Sequence, residues 1–581
     1  MKKILKNQRG ITLIALAVTI TIMLILISIS INLILENNGI IKRGQDARDK
    51  TVEAAREEQA QFKDITEYIE EQGKSLFDTI DQVNKPKLTT GMIPVKYDVT
   101  EKKWRICSTT DVEWYNYRTK KEWANVMLSD GKYYSADANL TEEEKTSKKL
   151  AQKDTLVDEA DLGSMFVWIP SFAYKITSQY HDITTEEKPG GIEVKFLVGR
   201  SNKTVDNAKI ELYNKNTTNN YTQFPDGYVI HPAFKNGYGD YSNGEWKADI
   251  LGIWVAKFQA GIYTTSDDTA TKITSNNSED TSINNYYFPV FKGRKFGYNR
   301  MTESQCYNIS LALSSDGNPY GIKSSSNSHL MKNSEWGAAA YLSMSQYGYS
   351  EGVIKPSNEK ARNNFDISGS VAYPNITKYK IYGITGYSSK TGKSERNALT
   401  YSATFNTDKH TFNDEVGSGE TVSYAWNVTD DNSSIGKGTK SSTTGNIYGI
   451  YDMSSGLAEY TASYVNNIAY SESGAAFATG ESTYLATAYP NRATTYTDFN
   501  SAYDAGEFQK VYGDAIWETS KSAGEGLTWY GDTIEDDSDG EQLFFCRGGS
   551  WKWNFYGLCG LYDVYGGANA SNGFRTVLIS E

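Results

Sequence analysis

Three textures of apolar and polar positions succeed one another along the chain. The first opens MKKILKNQRG, with Lys2, Lys3, Lys6 and Arg9 ahead of an uncharged run from Ile11 to Leu35. As a helix such a run reaches across a hydrocarbon layer of about 30 Å, with its basic flank on the cytoplasmic side and the rest of the chain outside. In the second texture Val52, Ala55, Gln59, Phe62, Thr66 and Ile69 fall three or four apart among charges. That spacing predicts an exposed amphipathic helix over 40–72 with one narrow seam, which packs along a filament or a domain, or else forms a coiled-coil stalk.

The third texture begins near Lys85. KPKLTTGMIPVKYD and WRICSTTDVEWYNY read as short strands between turns, and SMFVWIPSFAYKI has the aromatic and β-branched density of a buried strand that Pro170 ends or bulges. A charged insert, LTEEEKTSKKLAQKDTLVDEADL, reads as helical. Later strong segments, ADILGIWVAKFQAGIY, NSEWGAAAYLSMSQYG and NIYGIYDMSSGLAEYTASYV, are separated by long Ser/Thr/Asn/Gly stretches, notably Thr264–Asn285 and Tyr387–Ser442. Loops of that length are surface elaborations. No periodic repeat is present.

Composition narrows the function classes. The 581 residues exceed one ordinary domain, and 42 Tyr, 12 Trp and 49 Gly against 11 Pro suit short strands, turns and tyrosine-rich recognition surfaces. A formal charge of -12 argues against nucleic-acid binding, which needs clustered Lys and Arg. Cys107, Cys306, Cys546 and Cys559 are too scattered for a disulfide framework and form no CxxC zinc pair, although a Cys546–Cys559 bridge stays open. His181, His231, His329 and His410 lie far apart, without a ligand motif.

The N-terminal pattern resembles the prepilin leader of type IV pilins and pseudopilins, with Gly10 at position -1 and Ile11 starting the mature chain. The resemblance implies cleavage and methylation by a prepilin peptidase, assembly with pilin-like subunits through residues 11–72, and location in the cell membrane with an extracellular domain or in a surface pilus or pseudopilus. Ala15 stands where Gram-negative pilins carry glutamate; forms lacking it are familiar from Gram-positive bacteria. A plain membrane anchor is the simpler alternative.

Four downstream landmarks resemble the formylglycine-generating enzyme, or sulfatase-modifying factor, family, a variant of the C-type lectin fold: WVAKFQAG, NSEWGAAAYLS, GIYDMSSGLAEY, and the pair RGGSW and GFR at Arg547–Trp551 and Gly573–Arg575. The implied fold is α+β, a long N-terminal pilin-type helix followed by a loop-rich lectin-like domain of short antiparallel strands. The implied domains are a leader over 1–10, the pilin-like helix over 11–74, a linker and accessory β-rich region over 75–164, and the lectin-like domain over 165–581. In the enzymes two cysteines after the RGGS-aromatic motif bind copper; those positions here hold Trp553 and Leu558, which supply no thiolate. The enzymes' GNVWEW-type loop helps bind calcium, and here Gly456 and Ala458 replace its asparagine and tryptophan while Glu459 matches. The acidic run Gly531–Gln542 offers oxygen ligands without an EF-hand spacing, so calcium stays open.

Between the two borders lies a stretch crowded with Tyr, Phe, Trp, Asp, Asn and Gly that holds no acid–base pair or metal cluster. It reads as a binding surface, with aromatic anchors for area and small polar groups for hydrogen bonds. It also resembles the variable region of proteins diversified by retroelements, which change adenine-containing codons; an ordinary β-hairpin surface is the alternative. Trp553, Asn554, Phe555, Tyr556, Cys559, Tyr562, Asp563, Tyr565 and Asn569 are the candidate ligand-binding residues, and Arg547, Gly548, Gly549, Trp551, Gly573, Phe574 and Arg575 their scaffold. The expected protein is a non-enzymatic, surface-displayed adhesin or receptor with no cofactor and an extracellular protein or glycan ligand. A copper oxidase and a structural minor pilin are the alternatives.

Overall fold

Runs such as MFVWIP and GIWVA are apolar at every position rather than at alternate ones, and a strand of that kind must be covered on both faces. The computed structural model places both at the centre of an eight-stranded sheet. It describes residues 18–24, 76–178, 191–211, 227–235, 249–262, 286–348, 442–453, 456–465, 513–519, 544–549, 557–564, 566–569 and 571–580, together with Thr439 and shorter pieces within 372–427, 487–489 and 534–535.

The elements that matter below are, in chain order, β1 Ile93–Asp98, β2 Lys103–Ile106, β3 Asn125–Met127, β4 Leu156–Val157, β5 Met165–Pro170, β6 Gly252–Ala256, α1 Glu303–Ala312, β7 His329–Leu330, α2 Asn333–Met344, β8 Ala458–Val465, β9 Phe544–Arg547, β10 Leu561–Val564, β11 Asn572–Phe574 and β12 Thr576–Leu578. The large sheet runs β7-β12-β6-β5-β3-β1-β2-β4, antiparallel throughout. Every residue of β5 and β6 is buried, and Trp168 faces Trp254 across the ladder with ring centroids 5.1 Å apart. β5 ends at Pro170, which has no amide hydrogen to donate. In a second sheet β8 pairs antiparallel with β9 and parallel with β11, and β9 pairs antiparallel with β10.

The chain divides into Met1–Lys74 and Ser75–Glu581. Strands β1 to β4, from the stretch expected to be a linker and accessory region, are hydrogen-bonded into the same sheet as β5, β6 and β12. The charged insert is α-helical over Glu142–Thr146, closed by a Thr141/Glu144 capping box, and has a short 3-10 turn at Glu159–Asp161. α2 is buried all round, and Gly337 brings it so close to Gly513 that a Cβ there would lie 1.8 Å from the Gly513 carbonyl oxygen.

The α+β expectation with a long N-terminal helix is overturned. The described chain is mostly β-sheet, and its longest helix is the twelve-residue α2. Within Met1–Lys74 the described residues are Val18–Leu24 alone, a helical stretch of seven. Helical stability comes mainly from packing an apolar face, and here Val18, Ile20, Ile22 and Met23 are exposed. No helix among the described residues is long and apolar enough to cross a membrane. Gly10, Ile11 and the 40–72 stripe lie outside the described residues.

Candidate functional site

A guanidinium buried in a protein needs its five donors answered, and two such groups bracket the terminal segment. Arg547 closes β9 and is fully buried. Its Nε donates to the Gly560 carbonyl at 3.0 Å, Nη1 to Asn333 Oδ1 at 2.7 Å and to the Asp514 carbonyl at 2.6 Å, and Nη2 to the Ala515 carbonyl at 3.3 Å. Its charge lies 5.7 Å from the centre of the Trp336 ring, whose indole N–H donates to the Leu558 carbonyl at 2.8 Å. Gly548 follows with φ +74, and a Cβ there would sit 2.5 Å from the Met453 carbonyl oxygen, so only glycine makes this turn without strain.

Arg575, between β11 and β12, is also fully buried. It grips Glu459 bidentately, Nε to Oε2 at 3.0 Å and Nη2 to Oε1 at 2.7 Å, and donates at 2.7 Å to the carbonyls of Ala256 and Tyr451. Burial pushes Glu459 above the ordinary carboxylate range, and Arg575 offsets part of that rise. Asp452, two residues before the chain reaches Ser454, is raised to about 7, mainly by burial; it accepts from the Gly386 amide at 2.8 Å. The four sequence landmarks thus meet around two cations: WVAKFQAG through Ala256, NSEWGAAAYLS through Asn333 and Trp336, GIYDMSSGLAEY through Tyr451 and Glu459, and the terminal borders through Arg547 and Arg575.

Two further charged groups lock the surroundings. Glu335 in α2 accepts from the Lys332 amide at 2.9 Å and lies 3.1 Å from His329 Nε2 and 3.5 Å from Lys332 Nζ, all fully buried. Burial alone would raise its pKa, but Lys332 and His329 outweigh that and hold it below the ordinary value. Lys257 Nζ donates to Asn125 Oδ1 and to the carbonyls of Ile447 and Gly449 at 2.7 to 2.9 Å, within 6.0 Å of the rings of Trp104, Trp426 and Tyr451. Burial pulls its pKa well down, and three acceptors plus three ring faces answer the ammonium.

The candidate binding residues are placed unequally. Trp551, Trp553, Asn554, Phe555, Tyr556 and Tyr565 lie outside the described residues. Asp563 stands opposite Phe545 in the β9–β10 ladder. Tyr562 is half-buried, opposite Cys546, with its hydroxyl donating to Asn572 Oδ1 at 3.2 Å. Asn569 is exposed and accepts from the Ser571 amide at 2.8 Å. Cys559 corrects the expectation: it is fully buried and lies 4.0 Å from the Met344 sulfur, so it belongs to the core and not to an exposed patch. Gly549, Gly573 and Phe574 are buried. Neither Cys546 nor Cys559 is disulfide-bonded, and burial pushes the Cys546 thiol well up.

Sequence reasoning passed over Asn333, Trp336, Asp452 and Lys257. Each lies inside a quoted landmark, and Lys257 carried a visible signal, a lone cation inside an apolar run. Among the described residues no group of three or more His, Cys, Asp or Glu is placed to hold a metal ion, and Glu459 already serves Arg575. The acidic run Gly531–Gln542 lies outside the described residues except for the strand Ile534–Glu535. No family model matches the chain, and no curated protein matches it.

Proposed function

We propose that this chain is a surface-displayed ligand-binding protein, an adhesin or receptor, whose recognition surface is the segment between Arg547 and Arg575. One observation carries the reading. The segment is held at its ends by buried arginines and within by backbone carbonyls, those of Gly560 and Leu558, plus the buried side chains Leu558, Cys559 and Leu561. Among the described candidate residues of the segment, Asn569 is exposed and Tyr562 half-buried, so both have surface to offer a ligand. Tyrosine, tryptophan and asparagine there suit rigid area with adaptable hydrogen bonding.

The basic residues ahead of Gly10 and the uncharged run after it support delivery to the cell envelope, with prepilin-peptidase processing and pilin-like neighbours as the accompanying proposal. The oxidase alternative is weaker because neither Trp553 nor Leu558 provides a thiolate.

The test is binding of the full chain to a glycan and whole-cell panel, against a variant with Phe555, Tyr556, Tyr562 and Tyr565 replaced by alanine. The expected result is lost binding with a cooperative fold retained, Tyr562→Ala bringing some fall in Tm because that ring is half-buried and its hydroxyl donates to Asn572. Equal signals from both proteins overturn the reading and move the segment to a structural role.

A further inference from the structure

Between β10 and β11 the stretch Gly566–Asn569 has most of its acceptors already engaged. The Gly566 carbonyl accepts from the Glu303 amide and the Asn569 carbonyl from the Arg300 amide, both at 2.9 Å, and the Gly567 carbonyl accepts from the Tyr460 hydroxyl at 2.5 Å. The Asn569 side chain is committed in the same sense, since its Oδ1 accepts from the Ser571 amide at 2.8 Å. A backbone N–H can only donate, so that bond fixes which end of the side-chain amide is oxygen. It leaves the two Nδ2 hydrogens of this exposed residue to be answered by solvent or by a ligand.

Arg300 stands beside Asn569. It is exposed, and its backbone is left-handed at φ +60, a conformation uncommon outside glycine. The bond from its amide to the Asn569 carbonyl holds the two residues together, so both side chains rise from one place on the surface. Glu303, whose amide ties Gly566, is fully buried, and burial drives its pKa well above the ordinary carboxylate value. It therefore does not set a full negative charge against an incoming anion.

We infer that Arg300 and Asn569 form a subsite for the carboxylate of an acidic sugar on a glycan ligand. The inference rests on the ligand-binding reading above. Three of the four carbonyls of Gly566–Asn569 are engaged, and the exposed polar side chains here are a guanidinium and an amide with its oxygen spent. Such a surface selects a group that only accepts, and a carboxylate meets a planar fork and an amide donor together. Exposed Arg300, Ala568 and Asn569 include no large apolar anchor of the kind that carries protein–protein contacts, which favours a sugar acid over an acidic peptide. The net charge of -12 opposes an acid only weakly, because exposed charges more than about 8 Å apart are largely screened at physiological ionic strength.

The probes are sialyllactose and tetragalacturonate, each against its carboxyl methyl ester, with Nα-acetyl-glutamate amide as the peptide arm, titrated on the full chain by saturation-transfer NMR. At least one sugar acid is expected to bind about tenfold more tightly than its ester. Arg300→Gln is expected to abolish that preference with Tm retained. So is Asn569→Asp, which keeps an oxygen for the Ser571 amide and puts a charge in place of the donor. Equal binding of acid and ester, binding of neither sugar acid, or a preference that survives either variant overturns the inference, and so does tighter binding of the glutamate probe than of both sugars. The cell and glycan panel run on Arg300→Gln separates the two readings: panel binding unchanged there but lost in the four-aromatic variant leaves the adhesin intact and removes the subsite.

Discussion

Arg547 and Arg575 are equally buried at the two ends of one segment, yet they are held by different chemistry. Arg547 meets neutral acceptors and one indole face; Arg575 meets a carboxylate with both teeth of its fork. At the first end deletion leaves backbone carbonyls and the Asn333 amide oxygen unmet. At the second it strands an acid. A buried charge stripped of its partner is among the most costly single changes known in cores, whereas orphaned neutral acceptors cost less.

The largest effect should come from Arg575→Ala, about 3–5 kcal/mol by urea unfolding, because Glu459 is left without its counterion. Arg547→Ala should cost less, about 2–3 kcal/mol, for the carbonyls and the Asn333 amide oxygen left unmet. A larger loss at Arg547 than at Arg575 breaks the comparison. Next in size is Gly548→Ala, about 1–3 kcal/mol, from the positive φ and the Met453 carbonyl in its way.

The gentlest probe is pH. Asp452, beside the Arg575 end, has a folded-state pKa of about 7 against an ordinary value of 3.8, so the folded chain holds the proton more tightly. Its contribution favours folding below the ordinary value and is lost as pH rises from about 4 to about 7. Glu518, which accepts from the hydroxyls of Tyr174 and Tyr341, is also raised to about 7 and adds to the same window. Asp452→Asn should therefore flatten part of the fall in Tm across that window, and Glu518→Gln a further part; an unchanged profile in both variants removes the electrostatic account. Glu335 runs the other way, since its lowered pKa makes its contribution present above the ordinary value and lost in acid.

Much of the fold was legible where burial shows in consecutive residues. The run MFVWIP announces a covered strand, and the strong segment NSEWGAAAYLSMSQYG contains the helix α2. The candidate site was legible in part: Arg547, Arg575 and Glu459 stood out inside landmarks, but the assignment of Glu459 to Arg575 rather than to a cation did not. Cys559 shows the limit from the other side. Between Gly557 and Gly560 it reads as surface, yet Met344 of α2, distant in the chain, packs against it. Glu303 gave no signal at all, because an acid after a capping threonine is what an ordinary exposed helix start looks like.

By itself the sequence determined the local textures: a basic start before an uncharged run, covered strands, one alanine-rich helix, and a terminal stretch of aromatics between two arginine borders. Those features follow from spacing and residue type within a few positions, which is the range over which a chain sets its own faces. Tertiary structure alone decided which charges meet. Glu459 and Arg575 are 116 residues apart, and Asn333 and Arg547 214. Electrostatic and packing partners are chosen by where the chain crosses itself, and local periodicity carries no record of those crossings.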